Sequence, residues 1–169
     1  MKRPAANSQG EFERVALVHT RDLLRFARRL TGNSTSTEDL VQEALLNAWG
    51  SFHQFQSGTN ARAWLFRIVV NTWYGWGRRQ KPVPAMHLRT QPTVQDALEI
   101  SEAMDRLPPE QRGVIALIVV EGFTCRQASE ILCLPIGTVM SRLSRARQSL
   151  RELLGPGEAV AVAGVRESS

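Results

Sequence analysis

The chain has 169 residues, 43% of them apolar and 22% charged, the make-up of a globular protein with one or two small cores. No apolar run approaches the ~20 residues of a membrane span, and the polar start MKRPAANSQGEFER holds no signal-peptide core, so a cytoplasmic location without membrane insertion is expected. A net charge of +5 and a sequence pI of about 10.2 favour a polyanionic partner.

The charges are segregated. No Asp or Glu falls between Ala44 and Gln95, a stretch that carries Arg62, Arg67, Arg78, Arg79, Lys81 and Arg89. From Thr124 to Arg151 there are five arginines against Glu130 alone. The acids gather at Glu38, Asp39 and Glu43, and again at Asp96, Glu99, Glu102 and Asp105. Two basic zones flanking an acidic middle suggest two contact surfaces for one long anion.

Nearly every segment has helical periodicity. Leu23, Phe26, Ala27 and Leu30 step at three and four, and Gly32 supplies a stop. NSTSTEDLVQEALLNAWGSF is expected to open with a capping box from Ser36 to Asp39, followed by a stripe of Leu40, Val41, Ala44, Leu45, Ala48 and Phe52. FHQFQSGTN is a loop by composition, and Asn60 is placed to cap a third helix with Leu65, Ile68, Val69 and Thr72 inward. RQKPVPAMHLRTQPT has three prolines and no period, as a linker would. The expected organisation is a tail at 1–10, a helical domain at 11–79, a linker at 80–92, a second helical domain at 93–154 and a tail at 155–169.

In the second domain Val94, Ala97, Leu98, Ala103 and Met104 suggest a helix ended by LPPE, with Pro109 in the first turn of the next. EQRGVIALIVVEG is strongly apolar and stops at Gly122. Thr124 and Gln127 form a capping box that starts CRQASEIL, the break CLP ends at Pro135, and a longer helix follows through Gly137. A short helix, a tight turn and a longer helix make a helix-turn-helix pattern.

That last helix, PIGTVMSRLSRARQSLRELL, places Ile136, Val139, Leu143, Ala146 and Leu150 on one face at about 100° per residue. Opposite lie Gly137, Thr138, Ser141, Ser144, Arg145 and Gln148, small or hydrogen-bonding and without an acid. Arg142 and Arg147 take the flanks. Small residues admit a groove floor, Arg145 suits a guanine edge, and flanking arginines suit phosphates.

In the first domain NTWYGWGRRQK sets Trp73, Tyr74 and Trp76 beside Arg78, Arg79 and Lys81. Three aromatics in four positions cannot all face inward on a helix. One reading stacks the exposed ring on unpaired bases. The other buries Trp73 and Trp76 and lets Tyr74 cover an edge. The acid-free surroundings favour the first.

These residues resemble the extracytoplasmic-function class of bacterial sigma factors, of the sigma-70 family. The first domain carries the resemblance in RRLTG, EDLVQEALLNAW and TNARAWLFRIVVN, the second in LPPEQRGVIAL, EGFTCRQASEIL and LPIGTVMSRLSRARQSLRE. It implies an all-α fold of two small helical domains, a region 2 bundle and a region 4 helix-turn-helix, which bring core RNA polymerase to promoter DNA and open it. By resemblance, Asp39, Leu40, Val41, Gln42 and Glu43 occupy the surface for the clamp coiled coil of polymerase. Phe55, Asn60, Arg62, Asn71, Trp73, Arg78 and Arg79 fall to the minus-10 element, with Phe55 beside a flipped base and Asn71 reading it. Thr138, Ser141, Arg142, Ser144, Arg145 and Arg147 fall to the minus-35 element. An anti-sigma factor is the further partner implied.

The chain departs from the family at Met140, where many relatives are basic; a contact is lost there or replaced by one to a thymine methyl. Ala128-Ser129 replaces an Ile-Ala pair, and WYGWGRR is unusually aromatic. No catalytic pair, metal cluster or cofactor loop is present in the sequence: His19, His53 and His87 are scattered, and Cys125 and Cys133 are better taken as two thiols than as a metal site or disulfide. The rivals are a helix-turn-helix regulator acting alone and a sigma-like decoy that titrates an inhibitor. The first leaves DLVQE and the aromatic helix unexplained, and the second has no use for the arginines.

Overall fold

A computed structural model describes residues 6–32, 34–79 and 102–154, all of it helices and their connecting turns and loops, without a strand. The chain divides into two compact units, 1–85 and 86–169. The expected linker at 80–92, Lys81, and the helical positions Val94, Ala97 and Leu98 lie outside the described residues.

The first unit is built on α2 (Thr20–Thr31), α3 (Ser34–Ser51) and α4 (Ala61–Arg79), preceded by α1 (Ala6–Ala16) and a 3₁₀ turn at Leu17–His19. The helix α1 begins inside the stretch expected to be a tail, and FERVA is the part of it that the periodicity missed. Leu23, Phe26, Ala27 and Leu30 are buried on α2 as their spacing dictates. Gly32 ends that helix at φ 65°, its N–H donating to Arg28 O at 2.9 Å. A left-handed stop of this kind suits glycine because no Cβ opposes it.

Helix α3 starts two residues ahead of the expected cap, so Ser36 lies within its first turn and the Ser36–Asp39 box is replaced. Thr37, buried instead, shares a hydrogen bond of 2.9 Å with Thr31 and ties α3 to α2. Asn60 does cap α4, its Oδ1 accepting the Ala63 N–H at 3.0 Å. Inward on α4 are Leu65, Phe66, Val69, Val70 and Thr72, with Ile68 only half-buried. Phe66 and Val70 join the core because α4 packs on both α2 and α3, and two partners need a stripe wider than one ridge. Phe66 meets Phe26 at 4.8 Å between ring centroids.

The second unit runs from a helical segment at 102–105, where Ala103 and Met104 are buried, into α5 (Pro109–Ile115). Arg112 closes that corner: its Nη2 donates to Asp105 O at 2.7 Å and Leu107 O at 3.1 Å. Burial pulls the guanidinium below its usual value, and the nearby Asp105 opposes that pull. Beyond α5 the coil widens into a π turn over Ala116–Val120, then reverses at Gly122, φ 73°.

Thr124 and Gln127 form the expected capping box, Thr124 Oγ1 accepting from Gln127 N at 3.2 Å and Gln127 Oε1 from Thr124 N at 2.9 Å. It starts α6 (Cys125–Leu132), which ends at Cys133 in the left-handed region, φ 53°. The Ser129 hydroxyl donates to Leu134 O at 2.6 Å and latches the turn before α7 (Ile136–Leu154). The Ala128-Ser129 departure therefore has a structural use.

Thr124→Ala and Ser129→Ala are each expected to lower the unfolding free energy of this unit by about 1 kcal/mol, with Thr124→Ser close to wild type. Thermal or urea unfolding of the full chain measures both; unchanged midpoints would remove the cap and the latch from the account.

Candidate nucleic-acid interface

Helix α7 is held by Val139, Leu143, Ala146 and Leu150, all buried. Its other side exposes Gly137, Ser141, Ser144, Arg145 and Gln148, while Thr138, Arg142 and Arg147 are half-buried at the edges. Ile136, expected on the packed face, stands 48% exposed instead. It is the first residue of the helix, where the seam against the rest of the unit has not yet begun. Arg145 has no carboxylate partner among the described residues. Ser141 Oγ donates back to Thr138 O at 3.0 Å.

Gly137 has no internal reason to be glycine. Its φ is ordinary, and a Cβ there would meet nothing within 4 Å. Gly137 is the second residue of the helix, where glycine costs at most the roughly 0.5–1 kcal/mol of a helix interior against alanine, and its open surroundings leave room for a close approach to the backbone.

In the first unit the loop after α3 is firmly built. A 3₁₀ turn at Phe52–Gln54 buries Phe52, on which Phe55 stacks at 5.7 Å with 12° between ring planes. Phe55 also lies 5.0 Å from Trp64, and Phe12 of α1 packs 5.2 Å from both Trp49 and Phe52. Ser57 donates to Glu11 at 3.3 Å, a second tie from the loop to α1. Phe55 is half-buried, so part of it stays open to solvent.

Of the three aromatics near the C-terminal end of α4, Tyr74 is 37% exposed, while Trp73 and Trp76 are half-buried. The rings of Trp73 and Tyr74 are 5.1 Å apart. Trp76 donates its indole N–H to Glu43 Oε2 at 2.6 Å. Tyr74 supplies the exposed ring that the first reading asked for, and the second reading is corrected, since the tryptophans are edge residues rather than core. Asn71 is exposed on the same helix. The side chains of Arg78 and Arg79 lie outside the described ones.

Arg62 was expected at DNA, yet the structure turns it to Asp22, Nε to Oδ2 at 3.1 Å, with its guanidinium 4.8 Å from the Phe66 ring centroid. It braces α4 against α2. His19 sits beside this pair, and burial lowers its pKa, Arg62 adding to the effect and Asp22 opposing it.

The DLVQE segment divides by side. Asp39 and Gln42 are exposed, Glu43 is half-buried and bound to Trp76, and Leu40 and Val41 are core at 0% and 3% exposure. The last two cannot touch a partner; they hold α3 in the bundle. Leu46 was overlooked. It is 70% exposed and follows Asp39, Gln42 and Glu43 at helical spacing, so all four share one face. The signal was in the pair Leu45-Leu46, of which an amphipathic stripe uses only one.

Two helical units, the second closing on a helix-turn-helix whose last helix exposes no acid between Gly137 and Arg151, have the architecture of sigma-70-type proteins. Sigma-70 region 2 matches residues 17–83, and Sigma-70 region 4 matches residues 97–150. The chain is 38% identical over 142 residues to the ECF RNA polymerase sigma factor EcfG of Rhodopseudomonas palustris, covering 78% of each protein. It is 32% identical over 157 residues to ECF RNA polymerase sigma factor SigM of Mycobacterium tuberculosis, covering 89% of this chain and 80% of SigM. Among solved structures it is similar to the sigma factor RpoE of Bartonella quintana, crystallised with the anti-sigma factor NepR, at 33% identity and a TM-score of 0.73 over 87% of this chain and 98% of that one. It is also similar to CnrH, solved with the cytosolic domain of CnrY, at 27% identity and a TM-score of 0.67 over 86% and 88%. The chain belongs to the ECF RNA polymerase sigma factors. It is accordingly a transcription initiation factor and not an enzyme.

Gly137→Ala is expected to raise folding stability by a few tenths to about 1 kcal/mol while weakening promoter binding by the holoenzyme. Unfolding curves and promoter titrations on the same preparation check it; a parallel gain in both would mean that nothing approaches the helix there.

Proposed function

We propose that this sigma factor divides its work by surface, with core polymerase taken on α3, the minus-10 element on α4 and its preceding loop, and the minus-35 element on α7. The observation that carries this is the outer face of α7 from Gly137 to Gln148, which is exposed, holds no acid before Glu152 at its far end, and bears an Arg145 with no carboxylate partner among the described residues. In this reading Arg145 takes a guanine edge, Ser141, Ser144 and Thr138 line the groove, and Arg142 and Arg147 neutralise phosphates. Phe55 flanks a captured base, Asn71 and Trp73 lie along the opened strand, and Arg78 and Arg79 follow its phosphates. Arg62 and Asn60 act by holding α4 and its loop in place.

Polymerase docks on Asp39, Gln42, Glu43 and Leu46, an apolar side chain beside polar ones, as interface centres are commonly built. The domain limits proposed are 11–79 and 93–154, joined through 80–92. An anti-sigma factor that covers these surfaces fits the two solved relatives, each named as a complex, one with the anti-sigma factor NepR and one with the cytosolic domain of CnrY. No described helix is long and apolar enough to cross a membrane, and a polymerase partner supports a cytoplasmic location.

Transcription reconstituted with core polymerase and a promoter library tests the whole reading; no initiation from any template would overturn it. Arg145→Ala is expected to relax preference at one upstream position by about 1–3 kcal/mol and leave other positions unchanged. Equal loss on every template would show a phosphate contact instead. Asn71→Ala should slow opening, measured by permanganate reactivity, more than it weakens polymerase association. Leu46→Asp should weaken association with core polymerase at least tenfold with an unchanged unfolding curve; normal association would move the docking face elsewhere.

A further inference from the structure

Two apolar side chains in the first turns of α7 have no internal use. Ile136 is 48% exposed and Met140 54% exposed. They are four residues apart and so share a face, and the exposed Ser144 continues the same ridge. The buried seam of Val139, Leu143, Ala146 and Leu150 is complete without them. Their surroundings are those of a polyanion site, since no acid lies between Glu130 and Glu152 and Gly137 beside them leaves open space.

An apolar pair set among arginines and small polar residues fits one feature of a duplex major groove, the thymine 5-methyl group. The first turns of a recognition helix are the part that reaches base edges, and residues 136 and 140 belong to them. Methionine has an unbranched, polarizable side chain that conforms to a small apolar target. A cation at position 140 would seek a phosphate or a guanine, so methionine there changes the chemistry read as well as its strength.

We infer that Ile136 and Met140 form an apolar specificity element that packs on thymine methyl groups of the upstream promoter element. This rests on the reading of α7 as the upstream reader.

Deoxyuridine differs from thymidine by that methyl alone. Holoenzyme assembled from the full chain and core polymerase is titrated on its selected upstream sequence, with each thymidine on either strand replaced singly by deoxyuridine. At one or two positions the replacement weakens binding about fourfold, the worth of one methyl at about 0.8 kcal/mol and 1.4 kcal/mol per tenfold. In Met140→Ala the same replacement has no further effect, while Met140→Leu keeps the sensitivity. Because Met140 is exposed, circular dichroism of these variants should match wild type.

A flat deoxyuridine scan in wild type, or an equal loss in wild type and Met140→Ala, overturns the inference. A flat scan with Met140→Asp weakening polymerase association assigns the pair to a protein contact and overturns it too. Absence of any upstream sequence preference is a separate signature: it removes the reading of α7 on which the inference stands.

Discussion

Four buried side chains, Val139, Leu143, Ala146 and Leu150, hold α7 to the second unit, and they release the rest of that helix from structural duty. Burying a Val or Leu side chain contributes about 1.5–3 kcal/mol, so the seam supplies several kcal/mol in a unit whose whole margin is of order 5–15 kcal/mol. Folding then places little constraint on the opposite face. Left to solvent alone, that face would tolerate Glu as readily as Arg. Its bias toward arginine, serine and glycine needs a cause outside the fold, and an anionic groove is such a cause.

The arginines fall into two kinds. Arg112 and Arg62 are paired with acids and carbonyls of their own unit, and their geometry is spent on tertiary structure. Arg145 is exposed and has no such partner among the described residues. The guanidinium suits both uses, because its planar fork satisfies several acceptors when half-buried and matches phosphate or guanine when exposed. Charge count alone does not separate the two kinds; the partner does.

That distinction marks where the sequence was legible. Periodicity located α2, α3, α4, α6 and α7, and glycine or capping chemistry located the ends at Gly32, Asn60 and Thr124, because these depend on residues within a few positions of one another. The tie of Arg62 to Asp22 was not legible because its acid comes from another helix and is invisible to a local charge census. Ile136 was misplaced because its angle on the helix is right while its position at the first turn removes the neighbour it would pack on. Leu40 and Val41 were grouped with Asp39 by contiguity, although contiguous helical residues point to different sides. Ser36 lost its cap role because the helix could start earlier and bury Thr37. The exposed face of α7 was legible for the opposite reason: one helix carries all of it, so a single angle separates packed residues from exposed ones.

The first unit cannot be divided as cleanly, and the hydrogen bond from Trp76 to Glu43 shows why. The carboxylate belongs to the face of α3 that carries Asp39, Gln42 and Leu46, and the indole belongs to the aromatic end of α4. An N–H donor on an ionised acceptor is stronger than a neutral pair, and it gains further when water is excluded. A polymerase surface covering α3 would exclude that water. On the proposed reading, docking on one helix would fix a ring on the next, so the proposed polymerase face and the proposed strand-binding face would share an anchor instead of acting as separate patches. A bundle this small has few ways to link two surfaces, and a polar pair across adjacent helices does so without disturbing the core beneath.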